Sequence, residues 1–158
     1  MAELRELLAS AGFEDVRTYL QSGNVVLSSN AKPDEVARKC EQLIEEAFAL
    51  DVAVVTRTRL QLAQIVKRDP LAKLAKNPKR YQVSFLATKS PAELVRRLES
   101  AVVAPERVRV VGREIYAWHP EGIVRSKLWA LLAGRQLGVT ATSRNWTTVT
   151  KLLELADE

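Results

Sequence analysis

The chain has 158 residues, a net charge of +5 and a hydrophobic fraction of 47%. That size and balance suit one compact domain or two small fused ones and exclude a disordered chain. A single cysteine excludes an internal disulfide and a Cys-rich zinc site, and a single histidine leaves any metal centre to carboxylates, none of which cluster at ligand spacing.

No apolar run approaches the roughly 20 residues of a membrane span. The opening "MAELRELLAS" is amphipathic and carries acids, unlike a signal peptide. With one thiol, these features lead us to expect a cytoplasmic protein with no membrane partner. The basic balance suits anionic partners such as nucleic acid or nucleotides, or simply a soluble basic surface.

Leu4, Leu7, Leu8 and Ala11 recur at helical spacing, and Gly12 closes that helix. Val16–Leu20 and Asn24–Ser28 read as strands. Pro33, Asp34 and Glu35 open a second helix. Its inner face is Val36, Cys40, Leu43, Ile44, Ala47 and Phe48. The apolar run 52–55, "VAVV", reads as a buried strand.

Thr58 and Gln61 form a capping box for a helix that stops before Pro70. The basic stretch 67–80 reads as a connector. Tyr81–Ala87 is strand-like. Ser90, Pro91 and Glu93 then start a helix with Leu94, Leu98 and Ala101 inward. "RVRVV" and "EIYAW" pair around Gly112-Arg113, where glycine at the first central position suits a type II′ turn. Val124, Leu128, Leu131 and Leu132 mark a helix running to Gly138. An extended piece, Val139–Ser143, precedes a last helix with Trp146, Val149, Leu153 and Ala156 inward.

The element order predicts an α+β fold. Residues 80–158 form a β-α-β-β-α-β unit of ferredoxin-like pattern with a C-terminal helix. Residues 1–58 form the same unit without its opening strand, and 59–79 are a helix and basic connector. The repeat is structural, since the letters of the two halves do not align.

Turn chemistry predicts the hairpin faces. With Ser22-Gly23 as a two-residue loop, Leu20 pairs with Val25 and Tyr19 with Val26. The core face is Val16, Thr18, Leu20, Val25 and Leu27. The opposite face carries Arg17, Tyr19, Gln21, Asn24, Val26 and Ser28. In the second hairpin the core face is Val108, Val110, Ile115 and Ala117. Its opposite face is Arg107, Arg109, Val111, Glu114, Tyr116 and Trp118.

Both hairpins thus place arginine beside aromatic residues, away from the helices. Left open, such a face stacks bases and neutralises phosphates. Packed on another sheet face or a partner chain, it is an ordinary interface. Two further clusters stand out. Asn145 is a good N-cap for the last helix, with Arg144 and Lys151 near it. Arg125, Ser126 and Lys127 open the preceding helix. Adjacent helical residues point about 100° apart, so Ser126 and Lys127 do not form a nucleophile–base pair. His119 is expected in a loop, with no acid or thiol beside it at local spacing. No phosphate loop, dinucleotide fingerprint or nucleophile elbow is present.

Arg17-Thr18-Tyr19, Gln21-Ser22-Gly23-Asn24-Val25-Val26, Ser126-Lys127-Leu128 and Arg144-Asn145-Trp146-Thr147-Thr148-Val149 together resemble a bacterial family, domain of unknown function 1697. The resemblance spans nearly the whole chain. It implies two ferredoxin-like halves and no established reaction or cofactor. It marks Gln21, Ser22, Asn24, Lys127, Arg144 and Asn145 as positions of interest. Members of that family carry a further strand and a glycine-containing loop ahead of the segment equivalent to Met1–Leu8, matching the strand missing from the first half.

The functional expectation is a binding module for a phosphate-bearing ligand, single-stranded nucleic acid or a nucleotide. Its candidate contacts are Arg17, Tyr19, Gln21, Asn24, Arg109, Tyr116, Trp118, Lys127, Arg144 and Asn145. One alternative is a small-molecule enzyme with a site of Gln21, Asn24, Lys127, Arg144 and Asn145. The other is a structural or oligomerising protein whose open sheet faces are buried. No oligomeric state follows from the sequence.

Overall fold

The computed structural model describes residues 1–158. The chain divides into two units, Met1–Leu62 with Lys151–Glu158, and Ala63–Thr150.

The first unit contains α1 (Ala2–Ser10), β1 (Glu14–Tyr19), β2 (Asn24–Ser28) and α2 (Pro33–Phe48). Its core is Leu8, Phe13, Val36 and Cys40, with Leu4, Val16, Val25, Leu27, Leu43 and Val54 packed around them. The helix starts follow local chemistry. Asp34 and Glu35 fill the first turn of α2, and Glu35 accepts a hydrogen bond from the Lys32 amide. Ala47 and Phe48, expected inward, are exposed at the end of α2.

The first hairpin differs from its expected register. Tyr19 pairs with Asn24, Thr18 with Val25 and Arg17 with Val26. The loop is therefore four residues, Leu20–Gly23, not two. Asn24 explains the choice. Its Nδ2 donates to Tyr19 O and to Ser22 Oγ, both at 2.9 Å, which ties the longer loop together. Leu20, expected in the core, instead sits in the loop at φ 59° and is 53% exposed. From Arg17 to Tyr19 the partner numbers move by two, so these residues keep their faces; a register irregularity between Glu14 and Arg17 then sets Glu14 opposite Ser28, and Val16, Val25 and Leu27 still pack on the core.

The run Val52–Val55 is not a strand. The second unit shows why. Its sheet has the order β4-β5-β3-β6, in which the last strand touches only the first. By that scheme Val52–Val55 would pair only with an opening strand, and the first unit has none. The segment stays outside any ladder, and its Val54 amide donates to Glu41 Oε1 at 2.8 Å.

Two helices join the units. α3 (Arg59–Arg68) starts with the expected capping box: Gln61 Oε1 accepts from the Thr58 amide, and Thr58 Oγ1 from the Gln61 amide. α6 (Trp146–Asp157) starts with Asn145 Oδ1 accepting from the Thr148 amide.

The second unit contains β3 (Tyr81–Leu86), α4 (Ala92–Ala101), β4 (Arg107–Val111), β5 (Glu114–Trp118), α5 (Lys127–Ala133) and β6 (Ala141–Asn145). This is the expected β-α-β-β-α-β order, in an antiparallel sheet with β3 and β5 central. All six residues of β3 are buried. The β4–β5 hairpin has the expected register, Val111 opposite Glu114 and Arg107 opposite Trp118. Gly112 has φ 60° and Arg113 stays out of the left-handed region, as a type II′ turn requires.

One sheet face packs on α4 and α5 through Leu86, Val108, Ile115, Ala117, Leu94, Leu98, Leu128 and Leu132. Three helix boundaries differ from expectation. Ser90 makes no cap, and α5 starts at Lys127, leaving Val124 95% exposed. Gly134 ends α5 early; a Cβ there would lie 2.7 Å from Ala130 O. A short 3-10 turn, Arg135–Leu137, then leads to Gly138. No helix is long and apolar enough to cross a membrane.

Candidate functional site at the basic end of the second sheet

The sheet face away from α4 and α5 is not open at its centre. The last turn of α3 and the residues after it lie on it. Tyr116 is 0% exposed and its hydroxyl donates to Ile65 O at 2.9 Å. The Tyr81 hydroxyl donates to Asp69 Oδ1 at 2.7 Å, and its ring stacks on Trp146 at 4.9 Å. Glu114, at the next position on this face, pairs with Arg68 at 3.4 Å. Burial pushes the Tyr116 phenol up to about 12, against the pull of Arg68, and pushes Tyr81 higher still with Asp69 adding to it. An uncovered platform with Tyr116 as a stacking residue is thereby corrected. A phenol buried under a helix reaches no base.

The remaining candidates are scattered. Arg17 is half-buried in β1 and pairs with Glu158 at 2.7 Å. Tyr19 lies on the same face of β1, and Gln21 is exposed in the loop. Asn24 is buried and braces that loop. These four belong to the first unit. Within the second, Arg109 is exposed opposite Tyr116, and Trp118 is half-buried opposite Arg107. Arg144 is half-buried on β6, donating to Thr142 Oγ1 and Ser143 O, and loss of water lowers its pKa. Asn145 spends its side-chain oxygen on α6. The set Gln21, Asn24, Lys127, Arg144 and Asn145 is thus divided between the two units.

One end of the second sheet does gather charge. The start of β3, the start of β4, the end of β5 and the start of α5 meet there. Tyr81 and Arg107 both pair with Trp118, the His119 amide donates to Arg80 O, and Ser126 bonds Glu106. Lys79, Arg80, Arg107, Arg125 and Lys127 are all exposed along these segments. The Arg80 guanidinium is fixed by the Pro120 carbonyl. Of the two carboxylates nearby, Glu121 is exposed and Glu106 is turned inward.

Glu106 is the residue that organises this end. Its Oε2 lies 2.6 Å from His119 Nδ1 and 2.5 Å from Ser126 Oγ. Since a carboxylate only accepts, Nδ1 carries the proton it shares and the neutral ring has its lone pair on Nε2. Nε2 is buried without a partner, and His119 is 0% exposed with the edge of its ring system against Trp129. Ser126 also accepts from the Trp129 amide and so caps α5. His119 therefore lies in the loop after β5, as expected, but it is buried there and has beside it an acid that is distant in sequence.

The trio contains the side chains of a hydrolytic triad but not its wiring. A nucleophilic hydroxyl must donate to the ring nitrogen remote from the acid. Ser126 instead donates to the acid, and the remote nitrogen faces the interior. The trio braces the β4–β5 hairpin against the start of α5 and thereby presents Arg107, Arg125 and Lys127 outward.

Charge is unevenly divided along the chain. Residues 63–150 hold 16 Lys and Arg against six Asp and Glu, a net of +10. The rest holds eight against 13, a net of −5.

A family model described as "Protein of unknown function (DUF1697)" matches residues 1–116. The chain belongs to this family. A solved member of the same fold is the conserved bacterial protein SP0830 from Streptococcus pneumoniae. It is 21% identical, with a TM-score of 0.74 over 99% of this chain and 88% of that one. That likeness shows the fold that the DUF1697 chain shares with it. No curated protein matches.

Proposed function

We propose that this DUF1697 protein is a binding module for a phosphate-bearing polyanion, single-stranded nucleic acid being the ligand class that fits best. The observation that carries the reading is the charge division, with a net of +10 confined to residues 63–150. Lys79, Arg80, Arg107, Arg125 and Lys127 form the contact rim, and half-exposed Trp118 is the aromatic among them. Such a rim neutralises phosphates without reading base edges. A small-molecule enzyme is less well supported, because the one acid–imidazole–hydroxyl cluster is wired as a brace.

The test is fluorescence anisotropy with a labelled single-stranded oligonucleotide across a salt series. Engaging three to five phosphates gives a log–log slope between about −2 and −3.5. Arg107→Ala/Arg125→Ala/Lys127→Ala flattens that slope, whereas removing Arg5 and Arg38 from the first unit leaves it unchanged. Absence of any binding at low salt refutes the reading.

A further inference from the structure

β4 is one border of the four-stranded sheet. Val111 and Glu114 flank a two-residue turn, so they form a hydrogen-bonded pair, and alternation makes Arg109–Tyr116 and Arg107–Trp118 hydrogen-bonded too. The polar backbone groups of Val110 and Val108, and the carbonyl of Glu106, consequently point away from β5 toward the open border. No backbone donor from elsewhere reaches these carbonyls. Side chains of the same strand do. Arg107 Nη1 donates to Glu106 O at 2.9 Å, and Arg109 Nη1 to Val108 O at 3.1 Å.

We propose that Arg107 and Arg109 close this border to a second copy of the chain. The strand is otherwise an invitation to pair: Val108, Val110 and Val111 are β-branched, and its ladder with β5 runs without a bulge. Each guanidinium occupies an acceptor that an incoming strand would need. Each also sets a positive charge on the face where a two-fold copy of β4 would bring its own arginines, and like charges opposite one another repel. This goes beyond the binding reading and does not depend on it. Arg107 also belongs to the contact rim but Arg109 lies away from it, so Arg109→Thr alone separates the two ideas.

The test compares solution mass by sedimentation velocity for the wild type and Arg107→Thr/Arg109→Thr, threonine being well suited to a strand. The double variant self-associates at least about tenfold more tightly than the wild type. Arg96→Thr/Arg135→Thr removes the same charge from α4 and the 3-10 turn and leaves the mass unchanged. Adding Val108→Pro to the double variant removes an outward N–H, a position in a border strand that accepts proline, and restores the wild-type mass. Arg109→Thr alone serves if the double variant does not fold. The proposal is overturned if the double variant keeps the wild-type mass, if the α4 control associates equally, or if the proline variant still associates.

Discussion

The Tyr116 hydroxyl donates to a helix carbonyl and the residue is fully buried, and that favours its protonated form. An ordinary tyrosine ionises near pH 10. Here the pKa is pushed up to about 12, first by burial. A raised pKa on an acid means that the fold prefers the neutral form. The stability it contributes is fully present below about pH 10 and is lost as pH rises through about 12. Denaturant melts at rising pH will show a falling midpoint across that window. Tyr116→Phe has no proton to lose, so its midpoint falls less across the same window. At neutral pH it costs about 1 kcal/mol for the missing hydrogen bond.

At the scale of elements, the two hairpins show how much a turn says about itself. Gly112-Arg113 leaves one reading, because glycine first suits a type II′ turn and the register then follows. "LQSG" leaves two, a two-residue loop or a four-residue one, and a side-chain bond decides. Asn24 must already be folded back for its bonds to count, so the sequence pattern alone does not show it. Leu20 records the cost. It is a non-glycine residue at φ 59°, exposed, with little packing to lose. Leu20→Asn, which tolerates that conformation, is expected to raise stability by about 0.5–1 kcal/mol, read as a higher denaturant midpoint at unchanged slope. The brace at Glu106 was nearer to hand. A register that puts Arg107 opposite Trp118 puts Glu106 opposite His119 one rung further on. Local spacing around His119 misses an acid 13 residues away. Val52–Val55 fails differently, since being a strand belongs to a pair: the run is apolar enough, but the absence of an opening strand from the first unit, legible in the element order, leaves it nothing to pair with.

Across the whole molecule, alternation of apolar strands with amphipathic helices made the α+β fold and the second sheet legible. The covering of that sheet's far face by the end of α3 was not, because its contacts fall between a helix and a tyrosine far along the chain. The two sheets are unequal. β3 is buried along its length between two neighbours, while β2 has one neighbour and three half-buried residues. Two-stranded sheets are marginal alone. Hydrogen exchange followed by mass spectrometry should therefore find the Tyr81–Leu86 amides exchanging only by global unfolding, with Asn24–Ser28 exchanging earlier through local opening. Equal protection of the two segments would contradict this ordering.

The first unit takes Lys151–Glu158 from the far end of the chain, and Arg17–Glu158 and Arg59–Asp157 are ion pairs within it. On a ribosome, residues 1–62 are therefore made before the second unit yet completed only after it. The second unit has all four of its strands in hand by Asn145. The first must wait, with its amphipathic α1 and hairpin already synthesised, until α6 emerges. Its period of exposure is set by the rate of translation rather than by its own speed of folding.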